Sequence, residues 1–94
     1  MFAEQVKEKL EPLLYAVLQR LADGGDPLAF AFFVERQQEL KNADSEAQVL
    51  EMFLTLSQVA FLGFRFSESE WHLVDILLAE AESVSAAMTA QGMH

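Results

Sequence analysis

The chain has 94 residues, of which 52% are apolar and 22% charged; that excludes a disordered segment and leaves room for one domain. It has no cysteine, so disulfides, thiolate metal sites and cysteine nucleophiles are all excluded. Fifteen acids against six bases give a formal charge of −9, the wrong balance for a general nucleic-acid binder, whose phosphate affinity comes mainly from Lys and Arg.

The first predicted element runs from Phe2 to Ala22. Phe2, Val6, Leu10, Leu13, Leu14, Val17, Leu18 and Leu21 fall at steps of three and four, which places them on one stripe of a helix. Pro12 interrupts the run by removing a backbone donor and crowding the preceding turn. The apolar phase does not change across it, so a kinked single helix is expected rather than a second helix starting at Glu11. Asp23-Gly24-Gly25 ends it, because glycine takes the positive-φ conformation common at helix C-termini.

Asp26-Pro27 restarts the chain as a helix, with Asp26 as cap and Pro27 at the first helical position. This second helix is expected to reach about Lys41. Residues 28–34 are apolar all round and Glu35 to Lys41 are nearly all polar, so burial should differ sharply between the two halves. A strand over 28–34 is the competing reading; the alanines, the cap and the polar continuation favour a helix. After the turn Asn42-Ala43-Asp44, Ser45 and Gln48 have capping-box spacing, and a third helix is predicted from Glu46 to about Leu62. Its main stripe is Val49, Met52, Phe53, Leu56, Val59 and Ala60, with Leu50, Leu54 and Phe61 on an adjacent face, and Gly63 ends it.

Ser67 and Glu70 repeat the capping-box spacing and open a fourth helix from Glu68 to about Thr89, with Ala90 to His94 expected to fray. Trp71, Val74, Leu78, Ala81 and Met88 form one side of it, widened by Leu73, Ile76, Leu77 and Val84. Short connections between successive helices favour antiparallel neighbours. The expected fold is all-α: a small four-helix antiparallel bundle occupying residues 1–94 as a single domain.

The N-terminus has no basic segment followed by an apolar run, so no signal peptide is expected. The longest uncharged stretch, Met52 to Phe64, is 13 residues, too short to span a bilayer. A cytoplasmic protein with no membrane contact is the expectation.

A bundle helix needs about three apolar positions in seven to face a core, and the third and fourth helices carry more than that. A domain of ~100 residues buries only about two-thirds of its unfolded surface. Some of the side chains in a set of eight phenylalanines and one tryptophan are therefore expected to be exposed in a monomer or buried against something else. Each large apolar side chain that is buried contributes roughly 1.5–3 kcal/mol, so three or four could hold a homodimer together, with its seam on the third and fourth helices or on the Phe30–Phe33 cluster. Candidate interface residues are Phe30, Phe33, Phe61, Phe64, Arg65, Phe66 and Trp71, because an Arg between aromatics has the composition of an interface anchor. The competing reading of the 63–67 connection is a loop whose phenylalanines close the end of the core, with Arg65 paired to an acid such as Glu68.

Charge is uneven along the chain. Residues 1–44 hold eight acids and five bases, whereas residues 45–94 hold seven acids and one base, Arg65. Glu68, Asp75 and Glu82 fall seven apart, with Glu80 close to the same band, and could present a negative ridge to a basic protein surface. A solvated face that keeps the chain soluble explains the same pattern.

No catalytic motif is present. His72 has Glu68 four residues before it and Asp75 three after, an incomplete metal set, since a di-metal bundle needs Glu-x-x-His pairs on two helices. No serine sits in a Gly-x-Ser-x-Gly context, and Gly24-Gly25 is not followed by the Lys-Ser/Thr of a phosphate loop. Neither an enzyme nor a bound cofactor or metal is expected. The leading expectation is a protein-interaction module — an adaptor, regulator or inhibitor — presenting an apolar surface bordered by acids. The runner-up is a carrier of an apolar small molecule, such as an acyl chain, in a Phe-rich interior.

Overall fold

The computed structural model describes residues 2–92, and the side chains of residues 4–87. They form an all-α chain of four α-helices, α1 (Phe2–Ala22), α2 (Pro27–Asn42), α3 (Glu46–Leu56) and α4 (Glu68–Gly92), plus a short 3-10 turn at Val59–Phe61. There is no strand among the described residues, and the aromatic run 28–34 is helical. Helix α1 packs against both α2 and α4, while α3 packs against α2 and α4 and touches α1 more lightly.

The starts of α2, α3 and α4 follow from their caps. Asp26 Oδ1 accepts from the Leu28 N–H at 2.9 Å. At α4 the capping box is complete: Ser67 Oγ accepts from the Glu70 N–H at 3.2 Å, and Glu70 Oε1 accepts from the Ser67 N–H at 2.8 Å. At α3 the box is displaced by one residue. Ser45 Oγ accepts from the Gln48 N–H at 3.3 Å, but Gln48 Oε1 reaches back past Ser45 to the Asp44 N–H at 2.6 Å. Gly24 and Gly63 have φ of 99° and 76°, which lets the chain reverse after α1 and after the 3-10 turn.

Helix α1 runs without interruption through Pro12 and buries Val6, Leu10, Leu14, Val17, Leu18 and Leu21, with Leu13 at the edge of the core. The expectations for Phe2 and Met88 lie outside the described side chains. The backbone of Ala90 to Gly92 is helical, and Met93 and His94 lie outside the described residues.

Two expectations need correction. Helix α3 ends at Leu56, not near Leu62. Beyond it the backbone tightens to i→i−3 bonds, Gln58 N–H to Thr55 O at 3.1 Å and Phe61 N–H to Gln58 O at 2.9 Å. The hydroxyls of Thr55 and Ser57 bond back to the carbonyls of Glu51 and Leu54 at 3.1 and 2.8 Å, competing with the regular ladder at this point. Val59 still reaches the core, but Ala60 turns outward.

Helix α2, in turn, is not buried in one half and exposed in the other. Ala29, Phe33, Arg36 and Leu40 are buried, a single stripe along the whole helix. Leu28 and Phe30 share the apolar first half yet face outward, with Leu28 71% exposed. The angle at which a helix meets its neighbours, not its local composition, selects the buried face.

Candidate functional site

Besides single exposed side chains such as Tyr15 and Ile76, apolar surface gathers outside the core in two places among the described residues. The first is the end of the molecule where the 62–67 connection meets the start of α2. Asp26 joins them: while Oδ1 caps α2, Oδ2 accepts from the Arg65 N–H at 2.9 Å. These backbone N–H bonds, Arg65 first and then Leu28, hold the Asp26 carboxyl below its ordinary pKa.

Around this joint the aromatic rings stack on one another. Phe32 contacts Phe33 and Phe64 with ring centroids 5.2 and 5.4 Å apart. Phe66 meets Phe33, Phe64 and Trp71 at 6.3, 6.2 and 4.7 Å, all in edge-on geometry. Phe64, Phe66 and Trp71 are half-buried by these contacts. Phe33 is fully buried, so it leaves the candidate surface: a ring enclosed by the core cannot touch a partner while the chain is folded.

Of the other sequence-derived candidates, Phe30 and the Arg65 side chain are exposed, and Phe61 is 87% exposed. No ion pair joins Arg65 to Glu68 among the described residues; the contact of residue 65 is its backbone N–H on Asp26.

Sequence reasoning missed Arg36. It lies in the polar half of α2 but on the buried stripe, with only 7% of its surface exposed. Its guanidinium stands 4.7 Å from the centre of the Phe32 ring. Nη2 donates to Glu35 Oε2 at 3.2 Å and to Glu39 Oε2 at 3.3 Å. Nε lies 2.8 Å from Glu39 Oε1, but its N–H is not aimed at that oxygen, so this contact is an ion pair and not a hydrogen bond. The signal was the 29–33–36–40 spacing itself, which puts the arginine in line with Ala29, Phe33 and Leu40.

The second place is a groove of about 570 Å³ between α3 and α4, open to solvent and lined by Leu50, Phe53, Leu54, Leu78 and Ala81 with Ser57, Glu82 and Ser85. Leu54 is 67% exposed and forms the ridge on the α3 side. Beyond that ridge lies a separate polar trough between α2 and α3, which shares Leu54 and contains Glu39 and Glu51. The apolar groove is thus flanked by carboxylates on both sides: Glu82 on α4, and Glu51 across the ridge. Asp75 continues the Leu78–Glu82–Ser85 stripe one turn earlier by helical period. No Lys or Arg lines either depression.

His72, Glu68 and Asp75 all lie on the exposed surface of α4. Among the described residues no three His, Asp or Glu side chains come together as a metal-holding group. No described helix is long and apolar enough to cross a membrane. No known protein family matches the chain, and neither a curated protein nor a solved structure shows significant similarity to it.

Proposed function

We propose that the chain is a non-enzymatic protein-interaction module, an adaptor, regulator or inhibitor, that docks a partner protein on the α3–α4 face. The observation that carries this reading is the groove itself: apolar walls, open to solvent, with a leucine ridge two-thirds exposed and carboxylates on both flanks. Concave apolar surface of several hundred Å³ between helices is the usual setting for helix-in-groove recognition. The test is affinity capture from the native cell extract with the wild-type chain and a Leu54→Glu variant. A partner protein recovered in stoichiometric amount by the first and lost by the second is the expected result; equal recovery by both contradicts the reading.

The same chain acts as a homodimer in this proposal, through the aromatic end and not the groove. Leu28, Phe30, Phe61 and Leu62 are exposed, and the Asp26–Arg65 bond draws their two segments together. The protein works in the cytoplasm, without direct nucleic-acid or membrane contact, in keeping with its acidity. Successive helices run antiparallel and α1 bends at Pro12. The Lys7 Nζ donating to the Lys41 carbonyl at 3.1 Å supports the first, since it sets the start of α1 beside the end of α2. The missing proline donor supports the second.

The alternative, a carrier of an apolar small molecule, moves from the Phe-rich interior to the groove, because the phenylalanine rings fill their own space by edge-on packing. Native mass spectrometry after gentle purification distinguishes it by a bound lipid.

A further inference from the structure

We infer that the occupant of the α3–α4 groove is a basic amphipathic helix from another protein, an inference that rests on the docking reading above and names the partner's chemistry. The walls dictate one half of the match. Leu50, Phe53, Leu54, Leu78 and Ala81 form an apolar trough between two helices, which accepts side chains presented at i, i+3 or i+4, and i+7 from a third helix. Helix α3 spans 11 residues, about 16 Å, so a guest lying along it presents two to three turns.

The flanks dictate the other half. Glu82 borders the trough on α4 and Glu51 lies behind the Leu54 ridge, both exposed, with Asp75 one turn along from Leu78. None of the three carboxylates is ion-paired within the described chain. The only Lys or Arg between residues 45 and 94 is Arg65, in the connection before α4; Lys9 of α1 lies beside Ser83 and Val84 of α4, and among the described residues neither of these cations is ion-paired to the three carboxylates. A second copy of the chain is disfavoured as the guest, because it brings a further net charge of −9 toward the same carboxylates. A guest with leucines on one face and Lys or Arg on both edges satisfies walls and flanks together. Its long cationic side chains also cover the leucine ridge with their aliphatic stems.

The experiment uses the intact chain and a labelled synthetic peptide about four turns long, with leucine at helical spacing and lysine on both edges. Binding is followed by fluorescence anisotropy, and the site is mapped by amide chemical shifts. The expected result is saturable binding that shifts amides in 50–57 and 78–85, and weakens as salt rises from low to moderate concentration. Reversing both flanks, Glu51→Lys with Glu82→Lys, is expected to weaken it roughly tenfold. Leu54→Glu is expected to abolish it. All three positions are exposed, so the variants are expected to fold, which circular dichroism checks.

Two control peptides carry the overturning results. One replaces every lysine with glutamate, and the other keeps the composition but scrambles the leucine spacing. Equal binding of the first removes the role of the flanks; equal binding of the second reduces the effect to bulk charge. Shifts confined to other elements, or a fatty acid that shifts the groove amides where the basic peptide does not, overturn the proposal as well. Capture from extract that depends on Leu54 but yields an acidic or non-helical partner overturns this inference while leaving the docking reading in place.

Discussion

Asp26 joins local and long-range structure in one side chain, since one oxygen caps α2 and the other holds the backbone of Arg65. Its cap role is legible from the Asp-Pro pair; the second bond spans 39 positions and leaves no local trace. Because the folded state lowers its pKa, Asp26 contributes stability that is complete above the unfolded value and lost as pH falls through the folded one. Asp26→Asn keeps an acceptor but not the charge. The melting temperature of the wild type is therefore expected to exceed that of the variant near neutrality, with the gap closing below about pH 4. A gap independent of pH contradicts this. Ser67 is a simpler case, because its hydroxyl accepts the Glu70 N–H in a complete capping box. Ser67→Ala is expected to lower stability by about 1 kcal/mol in urea denaturation.

At the scale of elements, caps and stops mark helix starts well because they act through a few specific backbone bonds. The end of α3 is different. Val59 to Leu62 continue the apolar run, and apolar period is blind to a change from i→i−4 to i→i−3 bonding. Gly63 completes that exit with positive φ and open space where a Cβ would stand. Gly63→Ala therefore meets no clash and is expected to cost only the left-handed backbone penalty, about 1–2 kcal/mol. Helix α2 shows the other gap. Composition suggested an apolar half and a polar half, yet the stripe that meets the core takes in Arg36 and leaves Leu28 outside. Phe33→Ala is expected to cost about 3–5 kcal/mol, as for a large ring removed from a packed core. Phe61→Ser, at a ring that is almost entirely exposed, is expected to change stability of the monomer by no more than about 0.5 kcal/mol. Similar losses for both in dilute solution contradict the assignment of one ring to the core and the other to the surface.

For the whole molecule, the surplus of apolar residues was readable from composition, but its location was not. It depends on where α3 and α4 part to leave Leu50, Leu54 and Leu78 around a groove, a property of helix packing that no single segment encodes. The acids that flank it were visible as a heptad on α4, whereas Glu51 joins them only through the fold. The aromatic end carries a separate expectation: light scattering at tens of micromolar should give twice the single-chain mass, and Phe61→Ser should return it to one. The groove is tested most directly by placing a photo-crosslinking amino acid at Leu54 in the native cell, and at exposed Gln19 on α1 for comparison. The interaction reading predicts a discrete cross-linked protein from position 54 and none from position 19. No product at position 54, or the same product from both, contradicts it.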